Sequence, residues 1–168
     1  MNLKHLPAGA RDFDFAMGEW HVQHRRLRSR LSGCTEWVEF EGFSSTRKIL
    51  GGYGNVEDNV LELPDGSYRA AALRSYDADK GWSIWWLDGR NPSGMDVPVV
   101  GRFVEGVGTF YADDLLDGRP IRVRFTWLAR DGDHPQWEQA FSADGGQTWE
   151  TNWRMEFTRA EELEAQLV

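Results

Sequence analysis

The amino-acid sequence predicts an all-β protein whose antiparallel strands close into a barrel or pack as a two-sheet sandwich. Turn-forming pairs such as Asp88-Gly89, Asp117-Gly118 and Asp131-Gly132 recur at short intervals along the chain. Aspartate and glycine favour tight hairpin turns, and repeated turns of this kind are typical of consecutive hairpins. Between the turns, large apolar side chains alternate with polar ones, which is the pattern of a strand that buries one face.

The alternation predicts the strands in order along the chain. It is clearest over 121–127, 137–141 and 149–157, where large and mostly apolar side chains occupy every second position and the tryptophans among them, including Trp149, are expected to face inward. Weaker patterns predict further strands at 20–31, 36–42, 46–50, 56–63, 67–76, 82–88, 98–103 and 107–113. About ten strands in a chain of 168 residues are too many for one open twisted sheet.

Helix signals occur only near the two ends. Asp12 is a candidate cap for a short helical turn through Phe13 to Met17, and Thr158 with Glu161 has capping-box spacing. We find no linker, repeat or low-complexity segment that would divide the chain. Residues 1–168 are therefore predicted to form a single domain.

Composition excludes several classes of protein. A hydrophobic fraction of 40 % with 13 % aromatic residues is incompatible with a disordered chain. The one cysteine, Cys34, cannot form an internal disulfide, and the residues near Met1 do not resemble a signal peptide or a membrane span. A net charge of −8 argues against nucleic acid as a partner. We therefore expect a cytoplasmic protein with no nucleic-acid or membrane partner.

Two sets of residues carry a resemblance to a known family. Gly18-Glu19-Trp20 begins the first long strand and Arg159 ends the last. This resembles the pairing in lipocalins and their calycin relatives, in which Trp plugs the closed end of the barrel and Arg packs over its ring. Together with 12–15, 76–86 and 142–149, the pattern is similar to small bacterial calycin-like proteins described as domains of unknown function. The resemblance implies an antiparallel calycin or lipocalin-like β-barrel, and it transfers no catalytic residue.

Residues 142–149 also match the Asp-box pattern known from sialidases, Ser-x-Asp-x-Gly-x-Thr-Trp. In that motif the Asp side chain holds the turn amides and Trp packs beneath the hairpin. A sialidase would need several such boxes and a chain about twice as long. We therefore predict a structural turn here, with no chemistry of its own.

The inward faces of the predicted strands combine aromatic and polar side chains. The composite is typical of a pocket for a small, partly aromatic and anionic molecule. Cations would hold its polar end, tryptophans would form the apolar wall, and amides and a carboxylate would orient it. The predicted ligand-binding residues are His24, Arg26, Arg74, Trp86, Trp127, Trp153, Asn55, Asn59, Asp88 and Gln139.

Two alternatives to this pocket remain open. Large side chains could fill the barrel completely and leave no cavity. The basic run 24–30 could also be solvated, or paired across strands with Glu36, Glu39 and Glu41. The same alternation places His24, Arg26, Arg28 and Arg30 on the side of Trp20 and Arg25 on the opposite side.

No cofactor or metal is predicted. His21 and His24 point to opposite faces of a strand, and neither has a third ligand at suitable spacing. Haem is not expected either. Some small β-barrels bind it through a histidine near the carboxyl end, but the only late histidine here, His134, lies in an evident turn.

Binding of a small molecule inside the barrel is thus the leading functional hypothesis. The alternative is an enzyme of the decarboxylase or isomerase type, since lipocalin-like barrels include such enzymes and use buried Tyr, Arg and carboxylate groups. Asp88 converging with a Tyr or His inside a cavity would favour catalysis. With a solid interior, Trp85 and Leu87 would instead be candidates for a homodimer interface.

Overall fold

A computed structural model describes residues 5–129 and 131–166 and has ten antiparallel strands in a closed barrel. Each strand pairs with its neighbours in sequence, and the first pairs with the last. The lipocalin-like fold predicted from the sequence is confirmed. The strands are β1 (Gly18–Leu27), β2 (Trp37–Ile49), β3 (Gly54–Leu63), β4 (Gly66–Asp77), β5 (Gly81–Asp88), β6 (Val99–Val104), β7 (Val107–Leu116), β8 (Arg119–Leu128), β9 (Gln136–Ser142) and β10 (Glu150–Arg159).

The N-terminal segment closes one end of the barrel. It forms two short 3-10 turns, Ala8–Arg11 and Asp14–Ala16, and a third lies at Leu50–Gly52. Phe13 is 1 % exposed, and its ring packs against Trp82 and Phe103 with centroid distances of 4.8 and 4.9 Å. These contacts make the end apolar and closed, so any opening to the interior lies at the other end.

Trp20 and Arg159 complete the closed end as the sequence predicts. They are cross-strand partners, and the guanidinium carbon of Arg159 lies 3.9 Å from the Trp20 ring centroid. Arg159 also donates hydrogen bonds to the carbonyl oxygens of Met17 at 2.6 Å and Phe15 at 3.3 Å. Trp20 Nε1 donates to the carbonyl of Ala16 at 2.9 Å. The cation therefore satisfies main-chain acceptors that the 3-10 turns leave over.

Several predicted boundaries are corrected by the structure. The two strands expected at 36–42 and 46–50 are one continuous strand, β2, because the inward–outward alternation persists through Phe43, Ser44 and Ser45. β1 ends at Leu27 and does not extend to residue 31. Asp12 does not cap the second 3-10 turn, which follows Phe13 and has no side-chain cap. The C-terminal helix α1 (Ala160–Gln166) follows β10 directly.

A β-bulge changes which residues face inward in the strand predicted over 149–157. The pairing of β10 with β9 shifts between Thr151 and Trp153, so that Asn152 and Trp153 are both buried. An extra residue of this kind moves each side chain that precedes it in the strand to the opposite face of the sheet. Trp149, predicted to face inward, lies outside, where the guanidinium carbon of Arg124 is 4.3 Å from its ring.

The barrel wall is least regular beside the open end. β5 pairs with β6 through three residue pairs only, ending at Ile84 and Val99. Beyond them, the loop of residues 89–98 runs along β5, and the Asp96 amide donates to the Trp86 carbonyl at 2.9 Å. This loop therefore forms part of the rim. No helix in the described part of the chain is long and apolar enough to cross a membrane.

Candidate functional site

The barrel encloses a cavity of about 300 Å³ that opens between the loops opposite the Trp20 end. Its rim includes the exposed residues Arg90, Asn91 and Asp96, and its floor includes the buried residues Glu57 and Arg74. The interior is therefore not a solid core. The volume is at the lower end of the range for small-molecule pockets, which suits a compact organic ligand.

Aromatic side chains on inward positions of β5, β8, β9 and β10 form the cavity wall. Trp153 lies at the centre of this wall, and its ring centroid is 5.8 Å from that of Trp86 and 5.4 Å from that of Trp137. Both contacts are edge-to-face, at 87° and 88°, which is a favoured geometry for aromatic pairs. Phe125 packs edge-to-face on Trp137 with centroids 5.0 Å apart, and Trp127 extends the surface towards the floor, 5.4 Å from the Arg74 guanidinium carbon. A planar ligand would find apolar ring surface on this side.

The β10 bulge places an amide pair beside this wall. Gln139 Nε2 donates to Asn152 Oδ1 at 2.8 Å, and Asn152 is fully buried behind it. Gln139 itself lines the cavity. Its carboxamide is thus oriented by a neighbour that the bulge turned inward.

Two arginines reach the mouth without a carboxylate partner. Arg26 Nη1 donates to the Tyr68 hydroxyl at 2.9 Å, and its guanidinium carbon lies 4.9 Å from the Trp153 ring centroid. Arg30 also lines the cavity, and its buried Nε makes no hydrogen bond in the part of the chain that the structure describes. Burial lowers the pKa of Arg30, and the nearby charge of Arg26 lowers it further. Within 5–129 and 131–166, neither cation has a carboxylate within 4.0 Å.

The other charges at the mouth are the ion pair of Arg90 with Asp88 and the unpaired carboxylate of Asp96. Arg90 Nη2 lies 2.7 Å from Asp88 Oδ2, and its guanidinium carbon is 3.6 Å from the Tyr68 ring centroid. Hydrogen bonds from Arg90 lower the pKa of Asp88. The pKa of Asp96 is raised, first by burial and then by the charges of Asp114 and Asp88. Within the described residues, Arg26, Arg30 and Asp96 are the charges at the mouth that form no ion pair within 4.0 Å, and the Asp96 carboxylate acts on Arg30 over a longer distance.

The floor contains a buried ion pair between β3 and β4. Arg74 Nη2 donates to Glu57 Oε2, and its Nη1 donates to Asn55 Oδ1 at 2.8 Å. Arg74 and Glu57 are 2 % and 4 % exposed in their side chains. The rings of Phe13 and Trp127 lie 4.9 and 5.4 Å from the guanidinium carbon. Contacts on so many sides hold this pair in one geometry.

The ten predicted binding residues omit Glu57, and they also omit Arg30, Tyr68, Arg90 and Trp137, all of which line the cavity. The signal was present, because Glu57 lies between Asn55 and Asn59 on the same face of β3, and both asparagines were predicted to face inward. An acidic residue on a strand is usually solvated, so the alternation alone does not indicate a buried carboxylate. Its partner, Arg74, was predicted on the neighbouring strand.

Seven of the ten predicted binding residues line the cavity: Arg26, Arg74, Trp86, Asp88, Trp127, Gln139 and Trp153. The other three, His24, Asn55 and Asn59, are buried but do not line it. Asn55 is occupied by Arg74, and Asn59 Nδ2 donates to the main-chain oxygen of Glu57 at 3.5 Å. These asparagines therefore support the floor and do not face a ligand.

His24 lies behind the wall for a steric reason. Its ring stacks on Phe40 with centroids 4.5 Å apart, over the space left by Gly42. A Cβ on Gly42 would stand 2.9 Å from His24 Nε2. The glycine thus admits the imidazole into the wall, where Trp153 separates it from the cavity.

The basic run 24–30 divides between the two sides of the wall. On the outer surface, Arg25 pairs with Glu39 at 3.1 Å and Arg28 with Glu36 at 3.0 Å. Arg28 was predicted on the inner side, and this is wrong because β1 ends one residue earlier. Arg26 and Arg30 reach the cavity. The run therefore contains two arginines that line the cavity and two that form ion pairs on the outer surface.

The predicted Asp-box turn is confirmed. Asp144 Oδ1 accepts from the amides of Gln147 and Thr148 at 3.0 and 2.9 Å, and Oδ2 accepts from the Thr148 hydroxyl at 2.6 Å. These hydrogen bonds lower the pKa of Asp144 to about 2. Trp149 Nε1 donates to the Gly146 carbonyl at 3.1 Å. Every polar group of the motif is used inside the turn, as a structural role requires.

The described residues contain no cluster of three or more His, Cys, Asp or Glu side chains arranged to hold a metal ion. The polar groups of the cavity are guanidinium, carboxylate, carboxamide and phenol. Such a set binds organic polar groups through hydrogen bonds and charge.

Comparison with known proteins gives a likeness in fold. The chain matches no protein-family model and no curated protein sequence. Among solved structures it is similar to the S-type phycobiliprotein lyase CPES from Guillardia theta, with a TM-score of 0.55 and 9 % sequence identity. The likeness covers 88 % of this chain and 89 % of that one. At this identity it shows a shared lipocalin-like barrel fold.

Proposed function

We propose that this protein binds a small, partly aromatic anion inside the barrel. The observation that carries the proposal is the position of Arg26 and Arg30, two cavity cations without a carboxylate within 4.0 Å, above the aromatic wall. Arg26 lies over the ring of Trp153 and Arg30 over that of Phe141. Leaving a buried guanidinium donor without an acceptor costs free energy, and the Nε of Arg30 is such a donor. A ligand carboxylate would supply the acceptor.

In this proposal the anionic group lies at the mouth and the aromatic body lies deeper. Arg26 is held in place by Tyr68, and Trp153 lies beneath it. The ring of the ligand would pack against Trp86, Trp137 and Trp153. His24, Asn55 and Asn59 act indirectly, by holding the wall and the floor.

The contacts of Asp88 favour binding over the enzyme alternative. Asp88 accepts hydrogen bonds from Arg90, and the Tyr68 hydroxyl is engaged by Arg26. Asp88 and Tyr68 are therefore bonded to arginines and not to each other. A hydrogen bond between them would have favoured acid–base catalysis.

The test compares three probes of similar shape and different charge. Isothermal titration calorimetry would measure 3-phenylpropanoate, its neutral amide and 3-phenylpropylamine against the purified protein. We expect the carboxylate to bind about tenfold more tightly than the amide, since charge-assisted hydrogen bonds are the stronger ones, and the amine not to bind. A thermal-shift screen of aromatic and fatty acids accompanies it.

Arg26→Gln and Arg25→Gln are the matched pair of variants. The first removes a cavity cation and the second removes its neighbour on the outer surface, which pairs with Glu39. Arg26→Gln should reduce the preference for the carboxylate, to which Arg30 also contributes, and Arg25→Gln should leave the preference unchanged. Equal weakening by both, or no stabilisation by any anion in the screen, would contradict the proposal.

A cytoplasmic location, the absence of nucleic-acid partners and a homodimer stay predictions from the sequence. The homodimer interface at Trp85 and Leu87 was predicted for a barrel with a solid interior. The barrel contains a cavity instead, and both side chains are half-buried. Size-exclusion chromatography with light scattering would determine the oligomeric state.

A further inference from the structure

We propose that the ligand also carries a hydrogen-bond donor at its buried end, and that the Oε1 atom of Glu57 accepts this hydrogen bond. This inference rests on the proposed function. It specifies the ligand class as an aromatic molecule with an anionic group at one end and a hydroxyl or N–H group at the other.

The first argument is the hydrogen-bonding capacity of Glu57. Its carboxylate is almost completely buried and lines the cavity. Arg74 engages Oε2, and within the described residues no donor reaches Oε1. A carboxylate accepts several hydrogen bonds, so Oε1 has unused capacity for a donor. Oε1 is therefore an unused acceptor of the cavity floor, beside the ion-paired Arg74.

The second argument concerns the sign of the charge at the floor. Arg74 directs two of its nitrogens at Asn55 and Glu57, and Phe13 and Trp127 cover its guanidinium. Its third nitrogen, Nε, has no partner within the described residues and is buried, so it presents no accessible donor to a ligand. The charge of Arg74 is thus neutralised by Glu57 and closely packed. A ligand anion placed here would meet the Glu57 carboxylate and be repelled. A neutral donor is the complementary group.

The third argument is distance. Glu57 pairs with Ala72 on β4. Tyr68, the partner of Arg26, lies on the same strand, four residues before Ala72 and nearer to the mouth. At about 3.3 Å per residue the two levels are about 13 Å apart along the strand. This is a separation of backbone levels, and a ligand that joins the two side chains is therefore elongated along the barrel axis. An elongated molecule can place its carboxylate at Arg26 and its donor at Glu57.

The experiment changes the ligand first, so that it does not depend on a variant that folds. Calorimetry on the unmodified protein would compare 3-(4-hydroxyphenyl)propanoate, 3-(4-methoxyphenyl)propanoate and 3-phenylpropanoate. A hydrogen bond to a charged acceptor should make the hydroxyl compound bind about tenfold more tightly than either of the others. The methoxy compound has an acceptor and no donor there, so it should be the weakest.

Glu57→Gln and Glu62→Gln then test the residue. Both lie on β3, but Glu62 is exposed on the outer face. Glu57→Gln keeps an oxygen for Arg74 and replaces the charged acceptor, so the preference for hydroxyl over methoxy should fall to within about twofold. Glu62→Gln should keep the tenfold preference. Circular dichroism would establish that each variant is folded.

The outcomes separate this inference from the proposed function. Equal binding of the three compounds to the unmodified protein, weakened by Arg26→Gln, would overturn the donor at Glu57 and leave anion binding in place. A tenfold preference that survives in folded Glu57→Gln would also overturn it. Failure of all three compounds and of the wider anion screen to bind would overturn both proposals.

Discussion

The indole nitrogen of Trp153 donates a hydrogen bond to Nδ1 of His24 at 3.1 Å, across the strand pair that closes the barrel. The acceptor must be an unprotonated nitrogen, so the contact requires neutral His24. Burial lowers the pKa of His24 to about 3, and the charges of Arg26 and His21 contribute in the same direction. The wall of the cavity therefore depends on a histidine that stays neutral at physiological pH.

This dependence predicts an acid-sensitive fold. The unfolded chain takes up a proton at His24 near pH 6.5, whereas the native protein does so near pH 3. The contribution of neutral His24 to the free energy of unfolding is therefore at its full value above pH 6.5, and it is lost progressively as the pH decreases towards 3. Between pH 8 and pH 5 the loss from this residue should be about 2 kcal/mol in the free energy of unfolding. Urea unfolding at the two pH values measures it.

His24→Phe is the variant that isolates this effect. Phenylalanine can still stack on Phe40, but it cannot titrate and gives Trp153 no acceptor. The variant should be less stable than the unmodified protein at pH 8 and should lose less stability on going to pH 5. Equal losses in both proteins would show that His24 is not responsible.

A second prediction concerns the closed end. Trp20 is 2 % exposed, its ring is covered by Arg159, and Nε1 is bonded to Ala16. Trp20→Ala should lower the free energy of unfolding by roughly 3 to 5 kcal/mol, as expected for a buried aromatic residue. Chemical unfolding monitored by circular dichroism would measure the change.

Trp149→Ala is the control for this prediction. Trp149 is half-buried on the outside of the barrel and contacts Arg124. Its removal should cost much less than that of Trp20. Similar losses in the two variants would contradict the plugging role of Trp20 and the outward position of Trp149.

A third prediction assigns a positioning role to Tyr68. Its hydroxyl accepts a hydrogen bond from Arg26, and Arg90 lies over its ring. Tyr68→Phe keeps the ring and frees Arg26 to adopt other rotamers, so affinity for 3-phenylpropanoate should fall about three- to tenfold. The preference for carboxylate over amide should remain, because Arg26 keeps its charge.

Tyr111→Phe is the matched control, since Tyr111 lies on the outer surface beneath Arg122. Calorimetry should find its affinity unchanged. If Tyr68→Phe removed the carboxylate preference altogether, Tyr68 would itself contact the anion, and its assignment as a positioning residue would be wrong.

Strand alternation was sufficient to predict most of this cavity. A period of two places Trp86 and Asp88 on the inner face of β5, and Trp127 on the inner face of β8, without any knowledge of their neighbours. The method failed where the period is interrupted. Trp149 precedes the β10 bulge, and one inserted residue was enough to reverse its face.

Depth and pairing could not be obtained from alternation. Asn55, Glu57 and Asn59 share one face of β3, but only Glu57 lines the cavity. The difference arises from Arg74, which reaches across from β4 and occupies Asn55. Such contacts depend on side-chain direction and on the register between strands, and a single strand pattern contains neither.

The ion pair at the floor gives a fourth prediction. Arg74→Met should lower the free energy of unfolding by about 3 to 5 kcal/mol, because it leaves the Glu57 carboxylate buried without a partner. Glu57→Leu combined with Arg74→Met should recover most of this loss, since apolar residues of similar size then replace both charges. Unfolding in urea, with far-UV circular dichroism as the signal, would measure all variants.

The exposed pair Arg69 and Asp58 lies on the same two strands and is the control for this comparison, with nitrogen and oxygen 2.6 Å apart. Water solvates each charge there when the other is removed, so Arg69→Met should change stability little. A loss for Arg74→Met no greater than that for Arg69→Met would mean that water enters the cavity floor and solvates Glu57. In that case Oε1 would already be hydrated, and a ligand donor would have to displace water to reach it. The stability of Arg74→Met thus measures how dry the site is where the buried end of the ligand is proposed to bind.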